Sequence, residues 1–259
     1  MIRHTNLSYM TISGWKSRYS EIIREFGYSK KEDLESARML NSLLKNGFPL
    51  KNFKKLIYNQ PVFVVGAGPS LSSSITILKK YKKVTKIVAD GATKALLENN
   101  IMPDIVVSDL DGDIKSLTKV GKTKTIVVVH AHADNLDKLE FVKFFKNCIG
   151  TTQTESIGKI YNFGGFTDGD RCVFLATHFN AKKIILFGMD FGTKIGKYSK
   201  VKISNKKLKL KKLRRGKKLL EWLASKNSKS LYTTSKPIKG FKKIRYKEVK
   251  KILLNENAF

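Results

Sequence analysis

The chain is short of cysteine, of long apolar runs and of acidic residues, and each shortage excludes something. Its two cysteines, Cys148 and Cys172, are too few and too far apart for a disulfide framework or a zinc motif. A reducing, cytoplasmic location is therefore expected. No stretch of about 18 consecutive apolar residues occurs, so no membrane-spanning helix is expected. Residues 1–22 lack both an apolar core and a small-residue cleavage site, so no export signal is expected. No internal repeat is found. Acidic residues number 21 against 51 Lys and Arg, a net charge of +30.

That imbalance suits a polyanionic partner: nucleic acid, anionic lipid or a phosphorylated substrate. It also has a compositional reading, because Lys far outnumbers Arg, as AT-rich coding would produce. The basic residues gather late. From Lys194 to Phe259 there are 23 Lys and Arg and three acids, Glu221, Glu248 and Glu256. With 41% hydrophobic residues and 259 residues in all, the chain can bury a core and fold as one domain with an appendage.

Three stretches differ in texture. Residues 1–58 read as helical and are expected to pack on the core: Ile12, Trp15, Tyr19, Ile22, Ile23 and Phe26 share one face up to Gly27. Leu34, Ala37, Leu40, Leu43 and Leu44 share another, stopped by Gly47 and Pro49. Residues 59–199 alternate short apolar runs (Val62–Val65, Ile87–Ala89, Ile105–Val107, Ile126–Val129, Ile184–Phe187) with helical patterns at Ser70–Tyr81, Thr93–Asn99, Asn135–Phe145 and Asp170–Phe179. This predicts an α/β fold, a mainly parallel sheet with helices on both faces. Residues 200–259 read as a basic helical extension, with a stripe of Leu208, Leu213, Leu219, Leu220, Trp222 and Leu223.

In such sheets ligands bind at the carboxyl ends of the strands, and here five strand ends carry small, acidic or imidazole groups. Gly66-Ala67-Gly68-Pro69-Ser70 links a strand to a helix. Its glycines allow close backbone approach, and free N–H groups there would hold a phosphate, with Pro69 at the first helical position. A tight strand–helix turn is the plainer reading. The turn lacks the Gly-Lys-Ser/Thr element of a P-loop, and Leu71 stands where a dinucleotide fold expects a third glycine. Asp90-Gly91 ends the next strand, where an acid could meet a ribose.

Asp109, Asp111 and Asp113 alternate after a third strand. If the chain is extended there, all three project to one side, and a hard cation such as Mg²⁺ would relieve their repulsion. An acidic turn that caps a helix is the alternative. His130, His132 and Asp134 follow a fourth strand; no third histidine or cysteine is near, so imidazole contact with a phosphate or a metal-bound water is favoured over zinc, and two hydrogen-bonded loop histidines are the plainer reading. The glycine-rich segment Asn162–Arg171 could lay Phe166 on a flat ring, offer Asp168 and Asp170 to ring N–H groups, and aim Arg171 at a phosphate; it could also be a plain loop that caps a helix. Asp190 ends the last core strand.

Together these motifs resemble a known family. Asp90-Gly91-Ala92, Pro103-Asp104 and Ser108-Asp109-Leu110-Asp111 look like the nucleotide and metal region of thiamine pyrophosphokinases. The closer resemblance is to archaeal 6-hydroxymethyl-7,8-dihydropterin pyrophosphokinases, which share that Rossmann-like fold. It is carried by Gly66–Leu71, Asp109–Asp113, His130–Asp134, Thr151–Gln153, Asn162–Arg171 and Gly188–Gly192, and extends to Leu220–Leu223.

The resemblance implies transfer of a diphosphate from ATP to the pterin hydroxymethyl group, releasing AMP, with a product that feeds tetrahydromethanopterin or folate-type coenzymes. It implies Mg²⁺ on Asp109, Asp111 and Asp113, and ATP on Gly66, Ala67, Gly68, Pro69, Ser70, Asp90 and Gly91. His130, His132, Asp134 and Arg171 would act on the moving diphosphate, and Asp134 or a metal-site aspartate would take the alcohol proton. Gln153, Gly165, Phe166, Asp168, Asp170 and Asp190 would meet the pterin, with Lys194 and Lys197 in reach of phosphate. ATP and the pterin are the expected partners. Membrane is not expected, nucleic acid is disfavoured, and a homo-oligomer is compatible. The rival readings are a motility-associated nucleotide-sugar glycosyltransferase, a thiamine pyrophosphokinase and a nucleic-acid-binding protein.

Overall fold

The computed structural model describes residues 11–199, 205–226 and 230–255; the expected start of the basic extension, near residue 200, lies outside them. In chain order the main elements are α1 (Trp15–Phe26), α2 (Lys30–Leu43), α3 (Leu50–Lys55), β1 (Pro61–Val65), α4 (Leu71–Lys80), β2 (Thr85–Ala89), α5 (Asp90–Glu98), β3 (Ile105–Ser108), α6 (Ile114–Gly121), β4 (Ile126–Ala131), a 3-10 stretch (Ala133–Phe144), β5 (Cys148–Thr152), β6 (Ile160–Tyr161), α7 (Asp168–His178), β7 (Lys183–Phe187), α8 (Lys206–Ser225), β8 (Ser230–Thr233), β9 (Lys242–Lys243) and α9 (Val249–Leu254).

The strands form one sheet in the order β6-β5-β4-β3-β2-β1-β7-β8-β9. Every pairing is parallel. Parallel strands need crossovers, and these helices cover both faces of the sheet. Alternate residues of each strand feed opposite cores. Val62, Val64, Ile105 and Ile184 pack under α1, α3, α7 and α8. Phe63, Val65, Val106 and Ile185 pack under α2, α4, α5, α6 and α9. Within the second core the rings of Phe63 and Phe187 meet edge-on at 4.8 Å. A fully buried side chain of this kind contributes about 1.5–3 kcal/mol, so the sheet centre, not the lysine-rich surface, holds the fold together.

The five apolar runs become β1, β2, β3, β4 and β7. Gly27 ends α1 as its position suggested, in the left-handed region at φ 70°. The expected helix over 135–145 is corrected: Ala133–Phe144 is a kinked 3-10 stretch with Asn135 at φ −125°, ψ 16°. Asn135 spends its side chain on other backbone groups, which breaks the helical ladder. In the basic extension, α8 and α9 are helical, and β8 and β9 complete one edge of the sheet. Both cysteines are buried and unpaired. No helix among the described residues is long and apolar enough to cross a membrane.

The chain steps outward from β1 through β2 to β6, then returns to set β7 against the other side of β1. This reversal of strand order opens a crevice at the carboxyl ends of β1 and β7. There the Gly66 N–H donates to Phe187 O at 2.9 Å and the Gly68 N–H to Gly188 O at 2.7 Å.

Candidate active site

Four carboxylates meet at the strand ends. Oxygens of Asp90, Asp109, Asp111 and Asp168 lie within 4.8 Å of one another. Asp90 follows β2 and is buried. Its Oδ2 accepts from the Ser108 hydroxyl at 2.5 Å and the Gly112 N–H at 3.2 Å, while its Oδ1 is buried and has no hydrogen-bond partner among the described residues. Asp109 and Asp111 follow β3, and Asp168 opens α7.

Asp113 is not brought into this group. The expectation that Asp109, Asp111 and Asp113 share one side assumed an extended chain. Leu110 has φ 63°, a left-handed turn held by its own N–H to the Ser108 hydroxyl at 2.8 Å. The Asp113 carboxylate instead caps α6, accepting from the Ser116 N–H at 3.0 Å and the Ser116 hydroxyl at 2.6 Å. Asp168, expected against the substrate ring, takes the fourth place.

The group is electrostatically unbalanced as it stands. Burial pushes Asp90 up to about 7; the Ser108 hydrogen bond opposes that, and the charges of Asp109 and Asp111 add to it. Burial and the same neighbouring charges push Asp168 well above the ordinary carboxylate range. Burial acts upward on Asp109 too, but His132, with help from Asp111 and Arg171, outweighs it and holds this carboxyl well below its ordinary value. Four carboxylates this close cannot all ionise without a compensating charge. All-oxygen donors and an unpartnered buried oxygen on Asp90 fit a hard divalent cation.

The β4 end supports this group from one side. His132 Nε2 lies 3.5 Å from Asp109 Oδ2, and its Nδ1 accepts from the Asp134 N–H at 3.2 Å. With Nδ1 accepting, Nε2 carries the proton that faces Asp109. The Asp134 carboxylate is 59% exposed, 3.9 Å from His132 Nδ1 at the rim of the second cleft, and is not one of the four grouped carboxylates. His130 is buried, its Nδ1 3.2 Å from the Thr151 hydroxyl; burial, then the charges of Arg171 and His132, keep it neutral. Asn135, which carries no motif signal, is the hidden organiser. Its amide donates to Asp109 O and to His130 O, each at 2.7 Å, and its oxygen accepts the His132 N–H at 3.0 Å.

The glycine turn differs from the expectation of free N–H donors. Those of Gly66 and Gly68 bond to the β7 end. The Ser70 N–H and hydroxyl both donate to Asp190 Oδ2, at 2.8 and 2.7 Å. Asp190 is therefore a clamp between β7 and the turn. The glycines are required by packing: a Cβ on Gly66 would overlap Met189, and one on Gly68 would overlap Asp190. Helix α4 begins at Leu71, so Pro69 precedes the cap residue Ser70 and does not hold the first helical position.

Two clefts border the carboxylates. The first, about 620 Å³, is lined by Gly66–Gly68, Gly91, Asp168, Lys194 and Lys209. Lys197 lies outside that lining, with its ammonium 4.7 Å from the Tyr198 ring. The second, about 330 Å³, is lined by Asp109, His132, Gln153, Phe166, Arg171 and Asp33. Arg171 Nη1 lies 3.8 Å from Asp168 Oδ1, and its Nη2 donates to Gln153 Oε1 at 3.3 Å. Gly165, at φ 93°, lies so close to the Arg171 backbone that no Cβ fits. Asp170 leaves the substrate list: it is buried and caps α7, accepting from the Phe166 N–H at 2.6 Å and the Thr167 N–H at 2.8 Å.

Comparison with known proteins adds to this geometry. A family model described as "6-hydroxymethylpterin diphosphokinase MptE-like" matches residues 36–196. Three curated relatives bear the name 6-hydroxymethyl-7,8-dihydropterin pyrophosphokinase. That of Methanocaldococcus jannaschii is 45% identical over 234 residues, covering 84% of this chain and 97% of the relative. That of Pyrococcus furiosus is 47% identical over 217 residues, covering 81% and 92%. That of Methanothermobacter thermautotrophicus is 39% identical over 224 residues, covering 83% and 95%. Among solved structures, the MAf glycosyltransferase of Magnetospirillum magneticum AMB-1 superposes with a TM-score of 0.58 at 14% identity. That match spans 90% of this chain and 42% of the glycosyltransferase, and is a likeness of fold.

Proposed function

This chain belongs to the MptE-like family of 6-hydroxymethylpterin diphosphokinases, and on that premise we propose how its residues move a diphosphate from ATP to 6-hydroxymethyl-7,8-dihydropterin. The activity is that of a pyrophosphokinase, with ATP as co-substrate. One observation carries the division of labour. The carboxylate group borders both clefts, Asp168 lining the first and Asp109 the second.

In this reading ATP occupies the first cleft. Gly66, Gly68 and Gly91 line that cleft with backbone, and Lys194 and Lys209 supply positive charge for its phosphates. The pterin occupies the second cleft, its flat ring against Phe166 and its hydroxymethyl group toward Asp109. Asp90, Asp109, Asp111 and Asp168 hold a divalent cation, proposed to be Mg²⁺, which when bound neutralises charge on phosphate oxygens.

Such transfers depend on alignment and charge neutralisation more than on covalent catalysis. The Arg171 guanidinium, buried between Asp168 and Gln153, lines the second cleft and stabilises the diphosphate in transit. The His132 Nε2–H steadies Asp109. The alcohol oxygen bonds to the β-phosphorus of ATP as the bond from that phosphorus to the AMP oxygen breaks. The alcohol proton leaves late in a loose transition state, so a weak acceptor suffices; Asp109, in the second cleft, is the carboxylate at hand. The exposed Asp134 and the buried His130 stay outside this step. The two buried, unpaired cysteines suit a reducing, cytoplasmic setting for the reaction.

A product assay tests the reading. Purified protein is incubated with ATP, Mg²⁺ and 6-hydroxymethyl-7,8-dihydropterin, and in parallel with thiamine. AMP formed one-for-one with the pterin diphosphate is the expected result. AMP with thiamine alone would keep the chemistry and replace the substrate. Folded protein that releases no AMP in either tube would move the assignment toward nucleotide-sugar transfer.

A further inference from the structure

The second cleft contains a buried acid that the transfer chemistry leaves unused. Asp33 stands in the first turn of α2 and is 1% exposed. Its Oδ2 accepts from the Tyr19 hydroxyl at 2.6 Å and from the Gln153 amide at 2.7 Å. Among the described residues its Oδ1 accepts from the Ala133 N–H alone, at 3.0 Å. All three donors are neutral. A carboxylate offers about four lone-pair positions, so Oδ1 has one to spare. A buried acid short of donors and without a cation is costly. A neutral side chain would tie Tyr19 to Ala133 without that cost.

The rest of the cleft shows what would supply the missing donor. The rings of Tyr28 and Phe166 stand 6.3 Å apart by their centres, with the Lys212 ammonium 5.5 Å from one and 6.0 Å from the other. The two rings are tilted 50° to one another and in contact, so they form one aromatic side of the cleft, with an ammonium beside it, against which a flat heterocycle can lie. Asp109 of the carboxylate group lines this cleft, and from its neighbour Asp168 successive polar contacts run through Arg171 and Gln153 to Asp33. A flat ring in this cleft thus has the reacting carboxylates at one end and a lone acceptor at the other.

We propose that Asp33 reads the amino edge of the second substrate: its Oδ1 accepts a hydrogen bond from the 2-amino group of the pterin ring while the hydroxymethyl group reaches Asp109. This rests on the diphosphokinase reading above. Asp33, Tyr28 and Lys212 all lie outside residues 36–196, the stretch the family model matches. The flanking segments, one from each side of the catalytic stretch, thus complete a ring site whose Gln153 and Phe166 come from within it.

The test compares wild type with Asp33→Asn at saturating ATP and Mg²⁺. Two rings are used: 6-hydroxymethyl-7,8-dihydropterin and the same molecule without its 2-amino group. Asp33→Asn should lower kcat/KM for the natural ring about 10- to 100-fold and leave the KM for ATP within about twofold. On the desamino ring the further loss should stay under about threefold. No loss, or equal losses on both rings, overturns the assignment and leaves Asp33 a structural tie. Wild type that releases no AMP with the pterin takes down the underlying reading, and this assignment with it. If Asp33→Asn fails to fold, the wild type decides by fluorescence titration. The desamino ring should bind at least about tenfold more weakly, and equal affinity overturns the proposal.

Discussion

The Gly112 N–H donates to the Asp90 carboxylate at 3.2 Å, and that same carboxylate fills the space where a side chain on residue 112 would begin. Gly112 is therefore needed for close approach. Gly112→Ala should push Asp90 away from the other carboxylates, lowering turnover about tenfold or more and the melting temperature by a few degrees. Steady-state kinetics beside a thermal melt check both, and unchanged kinetics would remove Asp90 from the site.

The metal-site acids and the capping acid should separate cleanly. Asp109→Asn or Asp111→Asn should cut turnover by about 100-fold or more with the fold intact. Asp113→Ala should keep most activity and cost about 1 kcal/mol of stability through the lost cap. Denaturant melts and AMP release distinguish these outcomes. Full activity in Asp109→Asn or Asp111→Asn would refute the cation assignment.

Cation binding should be linked to pH. Asp90 is raised to about 7 by burial, opposed by Ser108 and assisted by Asp109 and Asp111. A cation needs it ionised, so binding releases protons. Mg²⁺ affinity should fall as pH drops through about 7, and calorimetry in two buffers of different ionisation heat should register the release. EDTA should stop AMP formation and added Mg²⁺ restore it. Indifference to both reagents sinks the metal assignment.

Arg171 is 6% exposed and makes separate contacts with its two terminal nitrogens, to Asp168 and to Gln153. Lysine keeps the charge and loses the fork. Arg171→Lys should lower kcat about 10- to 100-fold while the KM for ATP changes little. Unaltered kinetics would take the guanidinium out of the mechanism.

His178 gives a pH signature away from the site. Packed on Phe163 and Phe179, with ring centres 4.6 and 4.9 Å away, it is lowered by burial from 6.5 to about 4. The unfolded chain protonates it first as pH falls. Its stabilising contribution is thus complete above about 6.5 and is lost progressively between about 6.5 and 4. The melting temperature of His178→Phe should decline less steeply over that window than that of wild type. Parallel slopes would show that the ring titrates normally.

Much of the fold was legible because strands covered on both faces must be apolar throughout. PVFVV, TKIVA, IVVS and KIILF announce β1, β2, β3 and β7. Strand β5 reads CIGTT, and β9 is two lysines; their strand state comes from the partners beside them, Val127–Ala131 and Tyr232–Thr233. The site was half legible. Asp90, Asp109, Asp111, His132, Gln153 and Arg171 stand beside strand ends or in a glycine-rich loop; the first three group with Asp168, and Asp109, His132, Gln153 and Arg171 line the second cleft. Asp33 and Asn135 had no motif to mark them. One is an acid in an ordinary amphipathic helix, the other an amide inside an apparent helical pattern.

By itself the sequence determined the alternation of strand and helix, the polar ends of the strands and the stock of carboxylates near them. Those features depend on local periodicity, which neighbouring residues encode. Only the tertiary structure decided which acids meet. Asp168 joins Asp90 because α7 returns the chain to the sheet between β6 and β7, and Asp113 leaves because one left-handed residue, Leu110, turns the chain beneath it. Strand order and a single backbone angle are set by packing across the whole sheet, and residue spacing holds no record of either.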